Sequence, residues 1–282
     1  MNNLQSAVST LRMLYDKTAD FTPPYPVAEW GGLRRLGFEK KNINNLPLLS
    51  IVTIVLNNAA GLEKTIKSVL EQDYYNIEFI IIDGGSADNT GAMIKNYEKY
   101  IDIWTSGRDL GISDAFNRGK SLCSGKYHCM LNADDVFYSR QTISSIAHLM
   151  NADYDLICFA CELDYSAVRK KIIYPEKFKL RYKMPSSHQA MLFNTGRCCG
   201  FFYSLQNDYT MDYEFLCQAV RPEKILYQRV ILAVMTMSGR TGTKMLETGI
   251  SYLKVNFQKK NFFSVVLSII ALIKSIFFRY GK

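Results

Sequence analysis

Asp134 and Asp135 stand side by side directly after the apolar run 127–131. Adjacent carboxylates repel each other unless a cation neutralises them, and oxygen donors suit Mg²⁺ or Mn²⁺ rather than softer metals. An ion held there would screen a diphosphate and help it depart; the alternative is an acidic cap on a helix following Tyr138. A second polar cluster, Asp83-Gly84-Gly85-Ser86-Ala87-Asp88-Asn89-Thr90, follows another apolar run. Its glycines permit a tight turn. Asp83 is placed either to accept hydrogen bonds from a nucleobase or ribose or to stabilise that turn, while Ser86 or Asp88 suits a helix cap. Between these clusters, Arg108 and Arg118 are candidate diphosphate contacts, because a guanidinium forks onto phosphate oxygens. Asp114 and Asn117, three residues apart in a predicted helix, share a face toward the same cleft.

The elements that must position these groups are legible from periodicity. Residues 48–56, 77–82, 101–105 and 127–131 are apolar and rich in β-branched side chains, as strands buried on both faces are. Helical spacing over 61–71, 89–100 and 112–122 separates them. The alternation predicts an α/β fold with a mostly parallel, Rossmann-like sheet flanked by helices. Ligands of such sheets bind beyond the carboxyl ends of the strands. Polar groups collect at four of those ends: Asn57 and Asn58, residues 83–86, residues 106–111, and Asn132 with Asp134 and Asp135. The first strand runs into Leu56-Asn57-Asn58-Ala59-Ala60-Gly61 rather than G-x-G-x-x-G, and no P-loop signature occurs, which argues against dinucleotide-dependent enzymes and P-loop NTPases. Further on, 154–163 reads as a strand pair or a strand and turn, 210–220 as a helix and 224–234 as a strand. In the first 47 residues, 4–15 predicts a short helix and 21–37 a loop packed on the domain.

Six Lys or Arg and no acid fall between Thr248 and Lys282, so most of the net charge of +8 belongs to the tail. That asymmetry argues against nucleic acid as a partner and for a basic terminal segment. Within it, 262–278 is strongly apolar, with Ser264, Ser268 and Ser275 along one strip of a helical wheel. At 17 residues with Lys274 inside, the stretch is short for a bilayer span. It suits an interfacial helix on anionic lipid or a terminal helix packed on the domain. Seven cysteines without paired spacing predict reduced thiols, and the first twenty residues lack a long apolar region. The expected location is therefore the cytoplasm, peripheral on the inner face of the membrane.

The segments 51–57, 82–90, 109–119 and 131–135, in that order, resemble the GT-A fold family 2 glycosyltransferases of bacterial surface-polysaccharide synthesis. Pro185-Ser186-Ser187-His188-Gln189-Ala190 and Met211-Asp212-Tyr213-Glu214 are similar to the subset that includes colanic-acid fucosyltransferases. The resemblance implies an inverting transfer from a UDP- or GDP-linked sugar to a glycan acceptor, free or lipid-linked, with Mn²⁺ or Mg²⁺. It implies that Asp83 holds the base or ribose. Asn132 and Asp134 fall on the first and third places of a D-x-D motif, and Asp212 falls where the family tends to place its catalytic base. Such a base is also required chemically, since the attacking hydroxyl must lose its proton; Asp208 is its rival, and an ordinary exposed helix residue the plainer alternative. His188 and Gln189 become acceptor-pocket candidates, a structural histidine being the alternative, and Arg240 in the glycine-flanked 238–242 stretch a candidate for closing over the diphosphate. The sequence departs from the family at Leu56, Leu110 and Asn132, where an aromatic, a polar residue and an aspartate are usual. The expected organisation is an N-terminal extension (1–47), a transferase domain (48–245, its nucleotide-sugar half 48–138 and acceptor half 139–245) and a basic tail (246–282). A nucleotidyltransferase would need a Gly-rich, basic loop after the first strand, which is missing; a non-catalytic scaffold of a polysaccharide assembly complex would lack donor hydrolysis.

Overall fold

The computed structural model describes residues 15–17, 21–166, 168–207, 209–237, 245–259 and 262–280. Its strands are β1 (Tyr15–Lys17), β2 (Glu29–Gly31), β3 (Phe38–Lys40), β4 (Leu49–Val55), β5 (Ile77–Asp83), β6 (Ile103–Ser106), β7 (Tyr127–Met130), β8 (Val136–Phe137), β9 (Leu156–Ser166), β10 (Arg169–Ile173), β11 (Met191–Asn194) and β12 (Ile225–Thr236). The helices are α1 (Ala59–Leu70), α2 (Thr90–Tyr97), α3 (Ile112–Ser121), α4 (Thr142–Ile146), α5 (Thr195–Cys198), α6 (Met211–Ala219), α7 (Met245–Gln258) and α8 (Phe262–Tyr280). One sheet runs β2-β6-β5-β4-β7-β11-β9-β12-β8, with β10 paired to β9.

The β6-β5-β4-β7 section is parallel. Every residue of β5 and β7 is buried, because helices cover both faces and water reaches neither. Leu62, Ile66 and Val69, one turn apart on α1, pack into the core with Ile51 and Phe79 on one face. On the other, Ala115 and Phe116 of α3 meet Val52 and Ile82. Gly119 sets how closely α3 approaches, since a Cβ there would lie 2.3 Å from a Val52 methyl. Beyond β7 the sheet becomes mixed, with β11 antiparallel to both β7 and β9 and β12 parallel to β9. The stretch that sequence left open as a strand pair or a strand and turn is the single eleven-residue strand β9.

The N-terminal region departs from expectation. Residues 29–31 are not loop but the edge strand β2, antiparallel to β6. The predicted 4–15 helix falls almost wholly outside the described residues. Arg34, nearly fully buried, reaches under the sheet to pair with Glu78 of β5 and donates to the Leu122 carbonyl at 2.7 Å. Glu78 also accepts from the Ser124 backbone N–H (2.9 Å) and from the Ser50 hydroxyl. Removing one partner of a buried pair leaves the other charge uncompensated. Arg34→Ala is therefore expected to cost about 3 kcal/mol or more, read as a lower urea midpoint at unchanged slope; an unchanged midpoint would show that the serines alone satisfy Glu78.

Candidate functional site

The loops that leave β4, β5 and β6 are laced together. Asn57, at φ 51°, donates its backbone N–H to the Ser86 hydroxyl at 2.7 Å and accepts the Ala87 N–H on its side chain at 2.8 Å. Asn58 caps α1 by accepting the Gly61 N–H at 3.0 Å. Asp83 is buried at the tip of β5 and accepts from the hydroxyls of Ser86 and Ser106, each at 2.6 Å. These bonds fix three strand ends as one floor and give Asp83 the turn-stabilising task; any ligand contact is additional to it.

Residues 106–118 fold back on themselves. Arg118 pairs with Asp114 at 2.9 Å, donates to the Arg108 carbonyl at 3.2 Å and lies 5.4 Å from the centre of the Tyr25 ring. Asp114 also accepts the Leu110 N–H at 3.1 Å. Both side chains hold the loop, whereas the Arg108 side chain is exposed. Asn117 does not face the cleft as a free donor. Its carboxamide donates to the Tyr203 carbonyl at 2.9 Å and accepts the Tyr203 N–H at 2.8 Å, as a backbone strand would.

The 132–135 turn separates the two neighbouring carboxylates. Asp134 adopts φ 81°, a left-handed conformation that aspartate tolerates better than most residues. Its N–H is held by the Gly61 carbonyl and the Thr65 hydroxyl, both at 3.0 Å, and its carbonyl by the Thr236 hydroxyl, also at 3.0 Å. The carboxylate lies at the lip of the sheet, 2.7 Å from Lys64 Nζ. Asp135 points inward. It accepts the Thr236 N–H at 3.2 Å and a hydrogen bond from the Gln189 side chain, and burial pushes its carboxyl up to about 7. The turn leaves Asp134 the more exposed and Asp135 the more buried of the two, and the nearby charge of Asp134 adds to burial in raising Asp135. Two residues before Asp134, the side-chain oxygen of Asn132 is buried without a hydrogen-bond partner among the described residues. Buried polar atoms are rarely left so. Lys64 and Thr236 were not foreseen, since nothing local in the sequence ties them to Asp134.

The segments 188–193 and 203–215 are organised around Tyr203. His188 bonds the Tyr203 hydroxyl through Nε2 at 3.0 Å and lies among Phe116, Phe193 and Tyr203, with centroids 5.3–5.7 Å apart. Burial pushes His188 down to about 4, so it is neutral at physiological pH. Its neighbour Gln189 is the residue that reaches Asp135. Tyr203 stacks on Phe215 of α6 at 4.2 Å, which seats that helix against the same aromatic group.

Asp212 occupies the first turn of α6, where the helix dipole favours a negative charge. Burial outweighs this and pushes its carboxyl up to about 6, against hydrogen bonds from the Tyr213 N–H and its own N–H. Burial first, then the charges of Cys198 and Asp212, raise the Tyr203 hydroxyl. Glu214, two residues on, is held by Asn207 at 2.9 Å, so it does not compete with Asp212. Asn207 also accepts the Thr210 N–H at 3.0 Å and fixes where α6 begins. Asp208 and the 238–242 stretch with Arg240 lie outside the described residues.

A partly buried carboxylate poised near neutrality on one side, and an outward carboxylate beside an unpartnered amide oxygen at the sheet's carboxyl edge, are complementary tools. The first can take a proton, and the second can hold a divalent cation against a charged diphosphate. Residues 50–210 match the model of glycosyl transferase family 2. An uncharacterised glycosyltransferase of Mycobacterium tuberculosis is 29% identical over 184 residues, 63% of this chain and 70% of that protein. A PGL/p-HBAD biosynthesis glycosyltransferase of Mycobacterium bovis is 33% identical over 104 residues, covering 36% of this chain and 41% of that protein. Among solved structures, S. aureus TarS 1–349 in complex with UDP superposes with a TM-score of 0.56 at 14% identity, over 74% of this chain and 65% of that one. The mannosyltransferase PcManGT from Pyrobaculum calidifontis, in complex with GDP-Man and Mn²⁺, gives 0.52 at 15% identity, over 90% and 69%. The sheet and helices are those of the GT-A fold, and since the family match spans more than half of its length, the chain belongs to glycosyl transferase family 2.

Proposed function

We propose that the chain is an inverting hexosyl- or deoxyhexosyltransferase that moves a sugar from a UDP- or GDP-linked donor to a hydroxyl of a surface-polysaccharide acceptor, at the inner face of the cytoplasmic membrane. The observation that carries this reading is the 132–135 turn, where Asp134 is held outward at positive φ while the Asn132 oxygen two residues before it lacks a partner. Structural likeness to proteins solved with UDP and with GDP-Man supports a nucleotide donor. In this reading Asp83 and Asn57 shape the floor beneath the base and ribose, and the exposed Arg108 meets the diphosphate. Asp212 takes the acceptor proton as the hydroxyl attacks the anomeric carbon from the face opposite the leaving group, which inverts that carbon.

The residues fit a divalent ion completed by substrate. Among the described residues no group of three His, Cys, Asp or Glu side chains is arranged to hold one alone. Mg²⁺ and Mn²⁺ commonly bind through one or two carboxylates plus substrate phosphates and water. Asp134 would hold the ion, with Asn132 beside it; Asp135 would not. The ion supplies positive charge against the departing diphosphate.

Thermal-shift screening against UDP- and GDP-sugars, with and without Mn²⁺, tests the assignment. One donor class is expected to stabilise the protein by about 2.7 kcal/mol at a hundredfold excess over Kd, and only with metal present. A panel in which no nucleotide-sugar raises Tm, with or without Mn²⁺, would overturn the reading.

A further inference from the structure

The C-terminal helices are arranged against the usual rule for helices on a soluble domain. A helix that packs on a core turns its apolar stripe inward and its polar residues out. In α8 the buried side chains include Ser264 and Ser268, while Phe262, Phe263, Ile269, Ile270 and Ile273 are exposed. The inward polar strip has a cause. Ser268 accepts from Nδ2 of Asn256 on α7 at 2.8 Å, and Asn256 itself is fully buried. The same amide donates to the Tyr182 carbonyl at 2.9 Å, and its oxygen accepts the Tyr213 hydroxyl of α6 at 2.9 Å. Polar bonds thus bolt α8 through α7 to α6, and the apolar residues are left facing out.

A second segment joins this face independently. Arg181, in the short 177–181 helical turn, lies 5.7 Å from the ring centres of both Phe178 and Phe263. Phe178 is exposed, as are Lys177 and Arg181. With Phe262, next to Phe263, 82% exposed, aromatic rings and a cation from two distant parts of the chain meet at one surface. Patches of this kind mark contact with an apolar partner. The charge selects which one. Residues 245–282, which span α7 and α8, carry six cations against one acid, Glu247, so a second copy facing this surface would meet mostly like charge, whereas anionic headgroups would be attracted. No helix among the described residues is long and apolar enough to cross a membrane, which leaves contact in the plane of the interface.

We propose that the outer face of α7–α8, together with the 177–181 turn, is a docking surface for anionic phospholipid headgroups. This deepens the membrane location proposed above by naming the surface and the lipid chemistry it takes, and it is measured without donor or acceptor. Because α7 is bonded to α6, docking there also fixes the helix that bears Asp212 relative to the bilayer.

The test is co-sedimentation of the full chain with phosphatidylcholine vesicles containing or lacking phosphatidylglycerol. Binding is expected to rise at least tenfold with the anionic lipid and to weaken severalfold between 0.1 and 0.5 M salt, as on the order of 1 kcal/mol per cation near the surface requires. The double variant Phe262→Ser with Phe263→Ser removes exposed rings only. It is expected to lose at least tenfold in vesicle binding while keeping the wild-type Tm and its donor-induced shift. Arg181→Glu is expected to lose severalfold. Equal binding to neutral vesicles, or a double variant that binds as wild type, would overturn the proposal. So would a stable dimer that the double variant dissociates while anionic vesicles recover nothing. A wild-type chain that binds vesicles but no nucleotide-sugar would leave the docking surface standing and remove the transferase reading instead.

Discussion

Asp212→Asn is expected to leave nucleotide-sugar binding intact and to lower kcat by about 10²–10⁴-fold, the contribution general-base catalysis makes. The substitution preserves size and the hydrogen bond from the Tyr213 N–H, so α6 keeps its start at Asn207 and Thr210. The pH profile separates a base from a bystander. Burial raises the Asp212 carboxyl from its ordinary 3.8 to about 6, and only the ionised form can accept the acceptor's proton. Wild-type kcat should therefore fall tenfold per pH unit below about 6 and level off above it. The residual activity of the asparagine variant should lack that limb. Stability has the opposite sign. A carboxyl raised in the folded state binds its proton more tightly there than in the unfolded chain, so folding loses stability as pH rises from about 4 through 6. The variant should accordingly gain on wild type in Tm at pH 8 and not at pH 4. A variant with wild-type kcat and an unchanged acid limb would remove Asp212 from the chemistry.

The parallel half of the fold was legible in the sequence for a specific reason. Strands such as β5 are buried on both faces, so their apolar runs are uninterrupted, and helices such as α1 and α3 must then carry an apolar stripe at helical spacing. Edge elements leave no such trace. β2 is three residues long, lies between prolines and glycines, and is defined by its pairing with β6, some seventy residues away. The candidate site divides in the same manner. Which loops gather at the carboxyl edge follows from the order of strands, and Asn57, Asp83, Asn132 and Asp134 lie at the ends that order indicates. Where each side chain points does not follow. Asn117 shares a helix face with Asp114, yet Tyr203, from another part of the chain, claims its amide. The serine strip of α8 was readable as a strip, but the inward direction of Ser268 depends on Asn256, which the local pattern does not reveal.

Asp134 and Asp135 carry this point furthest, because two identical, adjacent side chains are expected to fail in different ways when replaced. The positive φ at Asp134 turns its carboxylate to the lip, whereas Asp135 is tied to Gln189 and to the Thr236 N–H. Asp134→Ala is therefore expected to abolish the Mn²⁺-dependent part of donor binding. It should also lower turnover by about 10³-fold, about 4 kcal/mol of charge stabilisation at 1.36 kcal/mol per tenfold. Asp135→Asn keeps the inward hydrogen-bonding shape and should retain the metal response. Lys64→Ala removes the ammonium 2.7 Å from Asp134 and serves as the control for simple charge. An exposed lysine–carboxylate pair contributes about 1 kcal/mol or less, so its loss should raise Mn²⁺ affinity severalfold at most and leave the metal requirement in place. Electron paramagnetic resonance of bound Mn²⁺, titrated with nucleotide diphosphate, reads all three without turnover. Retention of the bound signal in Asp134→Ala, or its loss in Asp135→Asn, would show that the ion sits on the inner carboxylate and that the turn at Asp134 serves another purpose.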